Sequence, residues 1–426
     1  MVDEPIPWGR IGHARPRRAV FGAAVALICG LSGCSASSSA SAGAPAATSA
    51  GGSGSVNVGL LAPLTGPFAT GSSVLGPMCT GWAKYVNANG GLNGETVNCI
   101  VEDTGAGAAA AAAAVKTLVQ DKVAFIFMSD ANMEATEAPI ITASKIPATG
   151  HFFMSSGTNW FRTSAGFPTV VTEMAAGAAA VDATKATYLY CAESAACAQS
   201  PAIFDATIKQ YSITDPITGG VKTSATAPSY TAECLALKQA GVNYANVGLA
   251  AGTIIQVAKQ CAAQSYTPTW GLSDGTVNVA QFANSGIDFK SAGGLVGFPW
   301  WANAAPVKQF TDFFAKYVPG QDYRNDQVTE LWAQFQLLQY AINQAKPATL
   351  TAQTITDALY AMPATNLGGL LSTTLSFSKA HPTAPVPCYW LYKADNQDYQ
   401  SITLPGKKSG NGMTGDLQST CETAAA

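Results

Sequence analysis

Short apolar runs alternate along this chain with longer segments of helical periodicity. This alternation narrows the possible folds more than any other feature. In the first part, "VNVGLLAPL" (56–64), "TVNCIVED" (96–103), "VAFIFM" (123–128) and "IPATGHFFM" (146–154) predict strands. Between them "CTGWAKYVNAN" (79–89), "GAGAAAAAAAVKTLVQ" (105–120) and "NMEATEAPIITASK" (132–145) predict helices. The punctuation agrees: Gly90 and Gly91 suit a helix C-cap, and Asn93-Gly94 suits a tight turn into the next strand. The second part repeats the pattern. Strands are expected at 185–193, 242–251, 268–275 and 293–301, and helices at 201–212, 252–265, 307–317, 326–345 and 350–362. "CYWLYKADNQDYQSITL" (388–404) predicts a β-hairpin. Strands separated by helices form parallel βαβ units, so the fold class is α/β with helices on both sheet faces. Ligands of such sheets bind beyond the carboxyl ends of the strands. The informative loops are therefore 62–73, 103–107, 129–133 and 149–160.

The first residues predict an address. Arg15, Arg17 and Arg18 precede "AVFGAAVALICGL" (19–31), an apolar run too short to span a bilayer comfortably. Leu31-Ser32-Gly33-Cys34 resembles a bacterial lipobox, which implies cleavage after residue 33 and a lipid on Cys34. An ordinary secretory signal is the alternative. Residues 34–54 hold almost only Ser, Ala and Gly and are expected to be a flexible tether. The expected location is extracytoplasmic, anchored on the outer face of the membrane. The first 33 residues hold four arginines and two acids, so losing them takes the net charge from −3 to −5. That balance gives no basic footprint for nucleic acid.

Ten cysteines less Cys29 and Cys34 leave eight, an even number that suits disulfides in an exported chain. Local pairing gives Cys79–Cys99, Cys191–Cys197, Cys234–Cys261 and Cys388–Cys421. The sequence has no C-x-x-C, and its three histidines are His13, His151 and His381, so neither a metal nor a cofactor is expected.

The order of these signals resembles the type I periplasmic binding proteins, the Leu/Ile/Val-binding-like lipoproteins of branched-chain amino acid transporters. The resembling residues are "VNVGLLAPLTGPFATGS", "YVNANGGLNGETVNCIVEDTGA", "AVKTLVQDKVAFIF", "ANVGLAAGTIIQVAKQCAAQSY" and "ELWAQFQLLQYAINQA". The resemblance implies two lobes joined by a three-crossing hinge: 55–171 plus 299–375, and 172–298 plus 376–426. It implies a monomer that captures a small ligand between the lobes and delivers it to an ABC transporter permease, without enzymatic chemistry. All four local cysteine pairs stay inside one lobe, as a hinge requires. A ligand-sensing receptor domain is the rival of another class.

Family members for amino acids hold the ligand carboxylate with hydroxyl and backbone groups of lobe one and the ammonium with an acid of lobe two. Carried over, the hydroxyl position falls on Ser129, the second carboxylate contact on Gly150, Phe153 and Ser155, and the acid on Asp274. Thr65 and Gly66 are placed where a backbone N–H faces a ligand. Phe152, Phe153, Trp160, Trp300 and Trp301 are weighed as an aromatic wall or as core packing. The loops 191–200 and 250–253 lack the tyrosine that amino-acid binders often carry, so an aromatic acid, an amide or another small metabolite is a live alternative.

Two stretches carry competing readings. "GLSDG" (271–275) fits the G-x-S-x-G nucleophile elbow, with Asp312 or Asp357 and His381 completing a triad; it also reads as a ligand loop built on Asp274, or as a plain turn. Glu102-Asp103 are expected to cap the following Ala-rich helix.

Overall fold

The structure, a computed structural model, describes residues 54–66, 69–105, 107–150, 157–193, 196–273, 275–380 and 386–421. Five strands, β1 (Ser55–Ala62), β2 (Thr96–Asp103), β3 (Phe125–Met128), β4 (Ala148–Gly150) and β5 (Trp160–Arg162), form a wholly parallel sheet in the order β2-β1-β3-β4-β5. Seven more, β6 (Ala186–Cys191), β7 (Val221–Thr223), β8 (Tyr244–Gly248), β9 (Thr269–Leu272), β10 (Lys290–Leu295), β11 (Cys388–Asp395) and β12 (Asp398–Ile402), form a second sheet in the order β12-β11-β10-β9-β8-β6-β7. It is parallel from β7 to β10 and antiparallel through β11 and β12, with β13 (Thr420–Cys421) paired to β11. This is an α/β architecture of two sheets flanked by helices, the two-lobed arrangement.

The first sheet follows from its composition. Every residue of β3 is buried, and β1 is buried along nearly all its length, as parallel strands covered on both faces require. One cover is the helix Asp326–Ala345. Phe335 of that helix stacks on Trp82 at 4.5 Å between ring centroids and meets Phe127 edge-on at 4.8 Å. The opposite cover is the Ala-rich helix Ala108–Gln120, whose Leu118 lies over Gly59 of β1. The Asn93-Gly94 turn has φ of 52° and 84°, and Leu92 and Glu95 exchange both backbone hydrogen bonds across it. Those angles suit a two-residue hairpin turn.

The helix Phe167–Ala180 packs against β10 and β11 of the second sheet. It comes so close that a Cβ on Gly177 would lie 2.5 Å from the Cα of Gly293 in β10. The boundary expected at 171/172 falls inside this helix, so the chain leaves the first sheet earlier, after β5. β5 and β7 were not expected as strands; each is three residues long, too short to show a period.

The four disulfides are Cys79–Cys99, Cys191–Cys197, Cys234–Cys261 and Cys388–Cys421, the local pairs set out above. The first ties the helix Leu75–Ala88 to β2, and the last ties β11 to β13. No helix among the described residues is long and apolar enough to cross a membrane.

Candidate functional site

Both sheets share one topological logic. In the first, strand order reverses between β1 and β3; in the second, between β6 and β8. Loops diverge at such switch points and leave a crevice at the carboxyl ends of the strands. One cavity of about 790 Å³ opens at both crevices. Pro63 and Ser129 line it from the ends of β1 and β3, and Cys191 and Gly248–Ala251 from the ends of β6 and β8. Such a volume is that of a small-molecule site.

Ser129 is only 7 % exposed, and its hydroxyl has no hydrogen-bond partner among the described residues. A buried hydroxyl left without a partner is costly, so this one is suited to a ligand atom. Next to it, Asp130 accepts the N–H of Asn132 at 3.0 Å and the hydroxyl of Thr104, which fixes the turn leading into the helix Glu134–Ser144. Burial raises the Asp130 carboxyl above its ordinary value against those hydrogen bonds. Asn132 and Glu134 carry the wall onward. One helical turn behind Glu134 lies Glu137, fully buried, with neither carboxylate oxygen hydrogen-bonded among the described residues. Burial first, then the charges of Asp130 and Glu134, push its carboxyl up to about 9.

The second sheet supplies an apolar floor, with Phe167, Val170, Val171 and Met174 on one helix. The Cys191–Cys197 disulfide forms part of the wall, with Glu193 between its cysteines in sequence. Burial alone would raise the Glu193 carboxyl. The Ser224 hydroxyl and the Ala225 N–H, each at 2.8 Å, outweigh it and hold the group below the ordinary carboxylate value. Gln327 and Glu330 reach the cavity from the helix Asp326–Ala345, and Glu330 accepts the hydroxyl of Ser164 at 2.6 Å.

The residues singled out from sequence divide into three groups. Ser129 lines the cavity. Phe153, Ser155, Asp274 and Cys34, with His381, lie outside the described residues; Ser273 and Gly275, the chain neighbours of Asp274, both line the cavity. Gly150, Thr65 and Trp300 are described and are not among the residues lining it. Gly150 ends β4 with a φ of 147° and leaves no room for a Cβ, which would lie 2.1 Å from the Met128 carbonyl. Trp300 packs on Trp301 and Tyr399 at 4.9 and 5.1 Å, which is core packing. Trp160 begins β5, fully buried, and donates its indole N–H to Thr142 at 2.9 Å.

Thr65 is held by Asp103 instead of facing a ligand. Asp103 accepts the N–H groups of Leu64 and Thr65 at 2.9 and 3.2 Å, the Thr65 hydroxyl at 2.6 Å and the Gly105 N–H at 2.9 Å. Burial opposes ionisation there, but these bonds outweigh it and hold the carboxyl below its ordinary value. Asp103 therefore clamps two loops together. The Ala-rich helix starts at Ala108 after Gly107 with no side-chain cap, which corrects the capping role expected for Glu102-Asp103.

The elbow reading of "GLSDG" also changes. The Ser273 hydroxyl donates to the carboxylate of Glu173, and both residues are buried. Asp312 is paired with Lys308 at 2.6 Å, and Asp357 with Lys379 at 4.0 Å. Neither is joined to Ser273. Among the described residues no group of His, Cys, Asp and Glu is arranged to hold a metal ion.

The cavity-lining residues that sequence reasoning missed are Glu134, Glu193, Glu330 and the apolar face of Phe167–Met174. Glu134 lies one residue beyond a loop marked as informative, and Glu193 sits between two cysteines. Glu330 gave no signal, because it belongs to a segment that reads as an amphipathic helix.

Residues 55–399 match the family model described as periplasmic binding protein, and the chain belongs to that family. Among solved structures it is similar to a possible leucine/isoleucine/valine-binding protein from Rhodopirellula baltica, with a TM-score of 0.71 and 14% identity over 84% of this chain and 98% of that one. A branched-chain amino acid ABC transporter protein from Thermus thermophilus, with bound valine, gives 0.68 and 14% over 83% and 96%. A fatty acid ABC transporter substrate-binding protein from Thermomonospora curvata gives 0.67 and 14% over 82% and 91%. No curated protein matches the chain.

Proposed function

We propose that this protein captures a small organic solute between its two lobes and delivers it to the permease of an ABC transporter. On this reading it acts outside the cytoplasm as a monomer, is held to the membrane by a lipid on Cys34, and performs no covalent chemistry. The observation that carries the reading is the cavity of about 790 Å³ where the switch points of both sheets meet, with the buried hydroxyl of Ser129 in its wall. The first lobe comprises 55–162 with the helices of 305–377, and the second 167–295 with 386–421. The disulfides support the division, since each joins elements of one lobe and leaves the hinge unbridged. Relatives of this fold include a protein with bound valine and a fatty acid transporter protein, so family membership leaves the ligand open. Asp274, adjacent in sequence to two wall residues, is kept as a partner for a ligand ammonium.

The test is a thermal-shift screen of the protein with amino acids, amines, amides, fatty acids and aromatic acids, followed by small-angle scattering. A ligand at 100 times its Kd adds about 2.7 kcal/mol of stability. The expected result is stabilisation together with a smaller radius of gyration. Failure of every class to stabilise the protein refutes solute binding.

A further inference from the structure

The charge of the cavity wall is one-sided. Among the described lining residues three are acids, Glu134, Glu193 and Glu330, and none is lysine, arginine or histidine. One guanidinium, that of the buried Arg162, stands near Glu134. Among the described residues, one cation against three wall carboxylates leaves this part of the wall net negative, and Asp130 and Glu173 are buried beside it. The positive end of the helix Ala251–Ala263, which has no side-chain cap, opens on the same cavity. It offsets about half a charge. The floor is apolar. A second, independent observation also points to a ligand: the Ser129 hydroxyl, nine-tenths buried on the wall, has no partner among the described residues.

Resting on the solute-binding reading, we infer that the ligand is an organic cation with an apolar body, an amine rather than a carboxylate. The ammonium sits among Glu134, Glu193 and Glu330, with the Ser129 oxygen accepting one of its N–H bonds. The body lies on the floor formed by Phe167 and Met174. A carboxylate of the same size meets like charge at the three described wall acids and has no described cation in the wall to replace its water.

The experiment uses isothermal titration of the intact protein with two matched series. One is phenethylamine, phenylalanine, 2-phenylethanol and 3-phenylpropionate; the other is isopentylamine, leucine, 3-methylbutanol and 4-methylpentanoate. The expected order is amine, then zwitterion, then alcohol, then acid, with the amine at least tenfold tighter than the acid and its advantage shrinking as salt is raised. Glu134→Gln should reduce the advantage severalfold. Glu193→Gln, at an exposed position, gives a second variant that keeps the buried groups intact and should also reduce it. An acid or alcohol that binds as tightly as the amine overturns the cationic class and leaves solute binding standing. A preference unchanged in both variants overturns the assignment of these carboxylates. No saturable binding by any member of either series overturns the inference, and solute binding is then judged by the broader screen.

Discussion

Replacing Glu137 by Gln should remove a loss of stability that wild type suffers as pH rises. The carboxyl is fully buried, neither oxygen is hydrogen-bonded among the described residues, and its neighbours Asp130 and Glu134 add negative charge. Together these raise it from 4.5 to about 9. Because the folded-state value lies above the unfolded one, the native protein holds a proton that the unfolded chain releases. The associated stability is fully present below pH 4.5 and is lost as pH rises through 9. Between the unfolded value and pH 7 lie about two and a half units, at about 1.36 kcal/mol each, so wild type loses on the order of 3 kcal/mol that the amide variant keeps. Glu137→Gln also carries a constant offset from its different hydrogen bonding, so the informative quantity is the slope. Urea unfolding of both proteins from pH 5 to 9 measures it. The variant should gain on wild type by about 2.5 kcal/mol between pH 5 and 7 and by more at pH 9. Parallel curves would show that Glu137 is ionised in the native state and would refute the reasoning.

Other outcomes are expected from the same structure. Ser129→Ala should weaken ligand binding by about 1 kcal/mol, read by titration calorimetry, while the unliganded variant melts at the same temperature as wild type or slightly higher. Asp274→Ala should weaken an ammonium-bearing ligand by roughly 2–5 kcal/mol, and unchanged affinity would remove it from the site. Gly177→Ala should destabilise by about 1–3 kcal/mol, because the new methyl meets the backbone of Gly293 at 2.5 Å. Serine at both Cys388 and Cys421 should cost about 2–4 kcal/mol, measured by denaturant unfolding.

The parallel sheets were legible because strands covered on both faces must be apolar almost throughout, and "VAFIFM" and "VNVGLL" are. Ser129 was reached by carrying over a hydroxyl position from the family it resembles, and the structure places it just after β3, at a switch point and in the cavity wall. β5 was hidden: three residues carry no period, and Trp160 looked like a loop aromatic until its indole was seen buried against Thr142. The role of Asp103 was hidden for another reason. Whether a carboxylate at a strand end caps the next helix or clamps a loop depends on what approaches it, and the loop that approaches, Leu64–Thr65, lies far back in the chain. Glu330 looked like one polar position on an amphipathic helix because that helix buries one face in the first sheet and turns another toward the cavity.

The helix Asp326–Ala345 covers the first sheet, yet it is translated long after β5. Trp82 and Phe127 meet Phe335 only after more than three-quarters of the chain has been made. Strands β6 to β9, with the helices between them, form one contiguous stretch that pairs without a later segment, and only β10 takes a distant partner, β11, on its other edge. A chain emerging from its amino end would therefore complete most of the second lobe first and hold the first in an unfinished state. Truncation after residue 322 should leave a protease-resistant second-lobe fragment and a digestible first lobe; a resistant first lobe would contradict this order. Each lobe would then wait for a piece from the far end of the chain, the first for residues 326–345 and the second for β11, before its core could close.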